Sequence, residues 1–204
     1  MDLSGTTVAL DGFGVEAGNE VLLEGIRRAT ADGINVRVFG PASDIDLSAI
    51  ERAELIDTVD FITNEDDPVP SVRSRKESSI VRAVADVAAG NSSAVVSLGS
   101  TGATLAAATF GLKRSRGVKR PALAGVVPLP GKDVVFLDIG ANVEVRAQHL
   151  IQFAYLGSAF SQSVLGVESP TVGLLTVGEE SGKGREEFVE AHATLSGADE
   201  INFA

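Results

Sequence analysis

Short apolar runs alternate along the chain with longer segments in which apolar residues recur at helical spacing. The junctions carry Gly, Asn, Ser or Pro, which favour turns and helix caps. This alternation predicts a series of βαβ units. The predicted strands lie near 7–10, 35–39, 94–97, 123–127, 134–138 and 172–177, and the clearest predicted helices span 20–31, 78–89, 103–112, 148–165 and 186–195.

Several predicted strands are apolar on both faces, most plainly the Val-Val-Phe-Leu run at 134–137. Continuous apolar strands are typical of a parallel sheet that helices cover on both sides. The pattern therefore predicts an α/β fold of three layers, α/β/α, with a mostly parallel sheet. A chain of 204 residues, 44% of them hydrophobic, can bury a sizeable core, and we expect residues 1–204 to form a single domain without an internal boundary.

The last seven residues, ADEINFA at 198–204, have the pattern of a loop that enters a buried strand. We expect them to lead into further structure, so that the sequence is the N-terminal part of a longer protein. The alternative is a short edge strand at a true C-terminus.

Composition narrows the functional classes. The absence of cysteine excludes disulfides, thiolate metal sites and a cysteine nucleophile. The first residues lack a cationic segment followed by a long apolar stretch, and no window approaches the roughly 20 apolar residues that span a bilayer. We therefore expect a cytoplasmic protein.

The net charge of −11 opposes binding to nucleic acid and to anionic lipid at long range. An anionic ligand or an acidic partner must therefore meet a local basic group. One candidate for docking a partner is a group of five residues, Lys113, Arg114, Arg116, Lys119 and Arg120, and a second is Arg73, Arg75 and Lys76. Either group taken alone is more typical of a solvated helix end or loop.

In open α/β sheets, ligands bind at the carboxyl ends of the strands. Four turns there draw attention, beginning with DGFGVEAG at 11–18. Its GxGxxxG spacing departs from the GxGxxG dinucleotide fingerprint, and Asp11 and Glu16 add negative charge, so it indicates NAD only weakly.

The second turn, GSTGA at 99–103, has glycines that permit close backbone approach and amides that a helix start would present to an anion. The third, DIGAN at 138–142, places an Asp and an Asn where they can orient a polar ligand or cap a helix. Turn and capping chemistry explains each of them equally well.

The fourth turn, GEESGKG at 178–184, presents Lys183 after a predicted strand. It is not a Walker A loop, because Val177 and Gly184 stand where that motif needs Gly and Ser or Thr. An ion pair between Lys183 and Glu179 or Glu180 is the structural alternative. The two histidines, His149 and His192, lack metal-ligand spacing, and no GxSxG motif is present.

These turns, in this order, resemble those of the fatty acyl-ACP:phosphate acyltransferase family of bacterial phospholipid synthesis, over nearly the whole chain. The resemblance rests on RKESSI at 75–80, VSLGSTGA at 96–103, KRPAL at 119–123, LDIGANVE at 137–144, QFA at 152–154 and VGLL at 172–175 running into GEE at 178–180.

The resemblance implies transfer of a long-chain acyl group from acyl carrier protein, or from coenzyme A, to inorganic phosphate, without cofactor or metal. It implies a fold similar to isopropylmalate dehydrogenase and phosphate acetyltransferase, a homodimer, and a membrane contact at the inner face through a further C-terminal part. By the same resemblance Lys183 and Asn142 are catalytic. The resemblance also implies that the following residues bind the substrate or phosphate: Asp11, Gly14, Lys76, Ser78, Ser79, Gly99, Thr101, Gly102, Ala103, Asp138, Gly140, Glu179 and Glu180.

The sequence departs from the family mainly in its first turn, which usually reads Asp-Ala-Met-Gly-Gly-Asp. Val15 replaces the second glycine, and Glu16 replaces the final Asp. Ser100 and Thr176 each replace an Asn. Alternative functions are an enzyme for small acyl-CoA substrates, a relative of the hydroxy-acid dehydrogenases, and a non-catalytic paralogue that binds phosphate or acyl ligands.

Overall fold

A computed structural model describes residues 5–16, 18–176 and 184–204 of the chain. The chain divides into two compact units, Met1–Lys113 and Arg114–Ala204. Within the described part of the chain, no helix is long and apolar enough to cross a membrane. The expectation that residues 1–204 form a single domain stays a prediction.

The first unit is built on a parallel sheet. Its strands are β1 (Thr7–Asp11), β2 (Asn35–Gly40), β3 (Ala53–Asp57) and β4 (Ala94–Ser97), in the spatial order β3-β2-β1-β4. The register pairs Asp11 with Phe39 on one side and with Ser97 on the other. The last residues of β1, β2 and β4 therefore meet at one edge of the sheet.

Helices cover both faces of this sheet. They are α1 (Asn19–Ala31), α2 (Pro68–Ser74), α3 (Ser79–Ala88) and α4 (Thr101–Gly111). Side chains of a strand alternate between faces, and the core follows this rule. Val36 and Val38 pack with Ile26 of α1, whereas Ala9 and Phe39 pack with Ala83 of α3. Apolar residues of α2, α3 and α4 form a third cluster.

The second unit begins with an antiparallel hairpin of β5 (Ala124–Leu129) and β6 (Lys132–Leu137), joined at Pro130 and Gly131. Two helices follow, α5 (Ala147–Leu165) and α6 (Glu186–Ser196), and they pack on each other. Two short strands, β7 (Thr171–Val172) and β8 (Asn202–Phe203), pair in parallel.

The α/β class with a mostly parallel sheet is confirmed. The expectation that the run at 134–137 lies in a parallel sheet is wrong, because β6 pairs antiparallel with β5 and is only partly buried. A run that is apolar on both faces does not by itself distinguish the two sheet types. The strand predicted at 172–177 is also too long, since β7 ends at Val172. The final strand pairs at Asn202, but that residue is exposed rather than buried.

Candidate functional site

The first turn of interest follows β1, whose last residue is Asp11. Its side chain is only 4% exposed. The carboxylate accepts hydrogen bonds from the Ser97 hydroxyl at 2.8 Å and from the Phe13 amide at 3.4 Å. Burial raises the pKa of Asp11, and hydrogen bonds from Ser79, Ser97 and Phe13 partly oppose this increase. A carboxylate repels phosphate, so this geometry favours Asp11 as an organiser of the turn.

Two glycines bring the turn after β1 against the turn after β4. Gly14 has φ +80°, and a Cβ at this position would lie 2.5 Å from Cα of Gly99. Only glycine allows so close a backbone approach. The Gly99 amide donates to the Ser97 hydroxyl at 3.1 Å, and Ser97 in turn donates to Asp11. The Gly99 amide is thus already committed to this turn.

The start of α4 presents the remaining amides. Ser100 is the N-cap, and its hydroxyl accepts from the Ala103 amide at 3.4 Å. The first intrahelical bond runs from Thr104 to the Ser100 carbonyl at 2.9 Å. Because a helix leaves its first amides without intrahelical partners, those of Thr101 and Gly102 are the ones that can bind an anion. A Cβ on Gly102 would lie 2.7 Å from Pro68 Cγ, so this glycine also lets α4 pack on α2.

The predicted residues Lys76, Ser78 and Ser79 lie between α2 and α3. Ser78 and Ser79 are almost fully buried. The Ser78 hydroxyl donates to the Arg75 carbonyl at 2.8 Å, and the Ser79 amide donates to the Asp60 carbonyl at 2.9 Å. The Lys76 ammonium donates to the Val72 carbonyl at 3.1 Å. The Ser78 hydroxyl therefore fixes the backbone at this junction, whereas the Ser79 side chain hydrogen-bonds to Asp11, and only Lys76 is exposed.

Arg75 ties the loop after β3 to the same junction. Its guanidinium binds Asp60 at 3.0 Å and Asp66 at 3.2 Å. A hydrogen bond from Arg75 lowers the pKa of Asp60. The loop also carries Phe61, which stacks on Phe13 with ring centroids 4.4 Å apart. Arg75 thereby holds an aromatic pair beside the turn that follows Asp11.

In the second unit, Asp138 is the hub of the turn after β6. Its carboxylate accepts four hydrogen bonds, from the amides of Leu123 (2.8 Å), Ala141 (3.0 Å) and Asn142 (2.7 Å) and from the Asn142 side chain (2.9 Å). Burial raises the pKa of Asp138, but these hydrogen bonds outweigh it, and the pKa lies below its usual value. Gly140 supports the turn with φ +128°.

The side-chain amide of Asn142 is fully engaged. Its Nδ2 donates to Asp138 and, at 3.0 Å, to the Pro121 carbonyl. Its Oδ1 accepts from Arg120 at 3.3 Å. Asn142 therefore braces the turn and positions Arg120, and both of its side-chain protons are already donated.

The five-residue basic group is divided between the units, with Lys113 at the end of the first and Arg114, Arg116, Lys119 and Arg120 in the second. All five side chains are exposed. The segment 119–120 lies along α5, because Gln152 accepts from the Lys119 amide at 2.6 Å and donates to the Arg120 carbonyl at 2.7 Å. Of the second predicted group, Arg75 is neutralised by carboxylates and Arg73 lies over the Phe110 ring at 4.9 Å.

The fourth predicted turn, at 178–184, is described only at Gly184. Lys183, Glu179 and Glu180 lie outside the described residues.

Sequence reasoning missed two residues that shape these sites. Ser97 links Asp11 to Gly99, and its position as the last polar residue of an apolar strand was the available signal. His149 is 7% exposed at the third position of α5, where its Nδ1 accepts from the Arg146 amide at 3.2 Å. Its position one turn into a helix that follows a polar turn was its only signal.

Each unit thus offers one polar turn at the end of a strand. The first presents the α4 amides of Thr101 and Gly102 beside a buried carboxyl and an aromatic pair. The second presents Arg120 beside a rigid Asp138–Asn142 turn. Amides and guanidinium groups are both donors suited to phosphate or to a developing oxyanion.

Several curated proteins similar to the chain have the same description. A phosphate acyltransferase from Lactococcus lactis subsp. lactis is 38% identical over 201 residues, which covers 96% of this chain and 61% of that protein. Phosphate acyltransferases from Lacticaseibacillus casei and Clostridium acetobutylicum are 39% and 37% identical, with 59% of each protein covered. The chain therefore spans about three fifths of the length of these relatives.

Solved structures share the fold. The phosphotransacetylase EutD from Staphylococcus aureus matches with a TM-score of 0.65 at 20% identity, covering 98% of this chain and 68% of that one. A branched-chain phosphotransacylase from Enterococcus faecalis V583 matches with the same TM-score, 0.65, at 17% identity, covering 98% and 66%. At these identities the likeness extends to the fold alone.

The model of one family, described as fatty acid synthesis protein, matches residues 6–204. This match spans both units and every turn discussed above. The chain belongs to the fatty acid synthesis protein family.

Proposed function

We propose that the chain carries part of a phosphate acyltransferase, which forms acyl phosphate from a long-chain acyl thioester on acyl carrier protein and inorganic phosphate. The observation that carries the proposal is the 38% identity, over 201 residues, to a phosphate acyltransferase. The reaction needs no cofactor. Its proposed setting is bacterial phospholipid synthesis in the cytoplasm, by a homodimer that contacts the inner face of the membrane.

The chemistry asks for positioning and charge stabilisation. A phosphate oxygen attacks the thioester carbonyl carbon, the new C–O bond forms, the C–S bond breaks, and the thiolate leaves and takes up a proton from water. The thiol that corresponds to this leaving thiolate has a moderate pKa, so the thiolate leaves with little acid catalysis. Bringing phosphate to the carbonyl and stabilising its developing oxyanion are the main requirements.

The first unit supplies amides for this purpose. The amides of Thr101 and Gly102, at the start of α4, are proposed to donate to phosphate or to the thioester oxygen. One helix start contributes only about 0.3 to 1 kcal/mol toward an anion. Millimolar phosphate binding requires about 4 kcal/mol. Further cationic groups are therefore needed.

Lys183 is proposed as one such group, paired with phosphate and with the negative charge that develops in the transition state. Glu179 and Glu180, which precede it by four and three residues in the sequence, are proposed to take part in substrate binding. Asn142 contributes to this proposal by holding Arg120, since its side-chain protons are donated to Asp138 and to Pro121. The exposed basic group containing Arg114 and Arg116 is the proposed docking surface for acyl carrier protein, whose acidic surface it would complement.

The test is acyl-phosphate formation by the natural protein and by its Lys183→Ala variant, with Lys132→Ala as a matched control on the exposed hairpin. Loss of one preorganised donor typically lowers the rate about 100-fold or more. We expect such a loss for Lys183→Ala and none for Lys132→Ala. Near-normal turnover would remove Lys183 from the mechanism.

Substrate arms of the same assay test the function itself. We expect the enzyme to form acyl phosphate faster from a long-chain acyl thioester of acyl carrier protein than from acetyl-CoA. NAD with hydroxy acids should give no reaction. Acyl phosphate formed only from short acyl-CoA would indicate a phosphotransacylase for small substrates. Phosphate binding without acyl transfer from any thioester would indicate a non-catalytic paralogue.

A further inference from the structure

A stacked aromatic pair, Phe13 and Phe61, lies at the surface of the first unit. Phe13 belongs to the turn after β1 and Phe61 to the loop after β3, and their ring centroids are 4.4 Å apart with 13° between the ring planes. Phe13 is half-buried, whereas Phe61 is 39% exposed. The Phe13–Phe61 pair therefore presents aromatic carbon to solvent at the sheet edge where the strands end, which is the edge of the candidate site.

The loop that carries Phe61 is anchored on both sides of this residue. Before it, the Asp60 carboxylate accepts from Arg75 at 3.0 Å, and the Asp60 carbonyl accepts from the Ser79 amide at 2.9 Å. After it, Ile62 is buried in the apolar cluster of α2, α3 and α4. The Phe61 ring cannot move into the core without breaking these contacts, so its exposure is built into the loop.

Both segments that carry the pair are packed against the start of α4. A Cβ on Gly99 would lie 3.4 Å from the Phe13 carbonyl oxygen. The loop of Phe61 leads into α2, whose Pro68 Cγ would lie 2.7 Å from a Cβ on Gly102. The turn of Phe13 and the loop of Phe61 therefore flank the free amides of α4, which are proposed to hold the phosphate or the thioester oxygen.

The position and the local charge indicate what the pair binds. An acyl thioester carries its hydrocarbon tail on the same carbon that phosphate attacks, so the tail must leave the α4 amides along the adjoining surface. Apolar surface there removes part of the tail from water. A nucleotide base also stacks on aromatic rings, but Asp60 and Asp66 share the single cation of Arg75. The remaining negative charge opposes the phosphates of a nucleotide and does not affect an uncharged hydrocarbon chain.

We infer that the Phe13–Phe61 pair contacts the hydrocarbon tail of the acyl substrate and thereby determines which chain lengths the protein accepts. The identity of this ligand rests on the proposed function. Phe13 and Phe61 are specificity-determining residues, because they contact the tail and not the reacting atoms. Phe13 stands at the Met of the Asp-Ala-Met-Gly-Gly-Asp pattern, so the stacked pair is a departure of this chain from that pattern.

The first test measures binding without turnover. The chain contains no tryptophan, so Phe61→Trp introduces a single fluorophore into the pair. The probes are S-alkyl pantetheines with butyl, octyl and dodecyl chains, whose thioether bond phosphate cannot cleave. We expect a saturable emission shift and an affinity that rises at least about tenfold from butyl to octyl, since each fully buried methylene contributes about fourfold. Phe110→Trp, at a position that is 43% exposed near the end of α4, is the matched control and should not respond.

The second test measures the chain-length preference of the reaction. The quantity compared is the ratio of kcat/KM for a dodecanoyl thioester to kcat/KM for an acetyl thioester of the same carrier. This ratio should fall about tenfold in Phe61→Ala, because the shortened side chain leaves part of the tail in water. Phe13→Leu should lower it less, since an apolar side chain remains. Phe110→Ala is the control and should keep the ratio of the natural protein.

Several outcomes would overturn the inference. These are no response of Phe61→Trp, an equal response of Phe110→Trp, and an affinity that does not depend on the length of the alkyl chain. A response to coenzyme A but not to the S-alkyl pantetheines would assign the pair to a nucleotide and would also overturn it. Alkyl binding without acyl transfer would refute the proposed reaction and leave the tail site intact, whereas acyl transfer with an unchanged ratio in Phe61→Ala would refute the tail site alone.

Discussion

Two strand-end turns, that of Asp11 in the first unit and that of Asp138 in the second, are stabilised in different ways. The turn of Asp11 relies on backbone contact, in which Gly14 lies against Gly99, and its carboxyl is deeply buried. The turn of Asp138 relies on the carboxylate itself, which accepts four hydrogen bonds. The same residue type at the same kind of position therefore has its pKa raised in one turn and lowered in the other.

The largest expected loss of stability comes from a substitution in the turn of Asp11. Gly14→Ala forces φ +80° on a residue with a Cβ and places that Cβ 2.5 Å from a backbone atom. We expect a loss of about 3 kcal/mol in the free energy of unfolding, from the backbone conformation and the overpacking together. Urea unfolding measures it. Gly166→Ala is the matched control, since Gly166 is in the left-handed conformation with φ +70° and has nothing near its added Cβ, and it should cost about 1 kcal/mol. Equal losses would contradict the close contact.

A smaller effect is expected in the second turn. Asp138→Asn turns an accepting oxygen into an NH2 group that faces the donors of Asn142. Leaving such donors unsatisfied costs about 2 kcal/mol. Asp133→Asn, on the exposed part of the same hairpin, is the control and should be nearly neutral. A thermal or urea denaturation series that shows no difference between these variants would refute the role of Asp138 as a hub.

The smallest expected effect is on how stability depends on pH. The pKa of Asp138 is lowered on folding, so its contribution to stability is present above the unfolded pKa, near 4, and is lost as pH falls through the folded pKa. The pKa of Asp11 is raised, so its contribution is present below the unfolded pKa and is lost as pH rises through the folded pKa.

Unfolding free energies measured between pH 3 and pH 7 should therefore diverge in opposite directions. Relative to the natural chain, Asp138→Asn should lose less stability on acidification, whereas Asp11→Asn should lose more. Parallel curves for the two variants would show that the two carboxyl groups do not differ.

The parallel sheet of the first unit could be predicted because its strands are short apolar runs separated by clear turns. The hairpin of the second unit could not, since an apolar run such as 134–137 is compatible with either sheet type. β3 was missed because its sequence, AELID, alternates with charged residues at a sheet edge, and α2 was missed because its PVPSVRS sequence spans only seven residues with two prolines.

The candidate turns were located from glycine spacing, but their internal bonds were not foreseeable. The hydrogen bond from Ser97 to Asp11 joins residues 86 positions apart, and only the register of β1 and β4 brings them together. The same applies to Asn142. Its sequence position is compatible with a side-chain amide that faces a ligand, but in the structure the amide donates to Asp138 and Pro121. Local sequence identifies donors and acceptors, whereas tertiary structure determines which of them are still available.

Arg75 has a consequence that extends beyond its own contacts. One guanidinium pairs with two carboxylates, Asp60 and Asp66, in the loop beside the Asp11 turn, and so offsets one of their two negative charges. Without it, an incoming anion would encounter two uncompensated charges in a molecule that already repels anions. Removing Arg75 would therefore make the local electrostatic potential more negative and slow the arrival of anions, most strongly at low ionic strength where long-range fields are least screened.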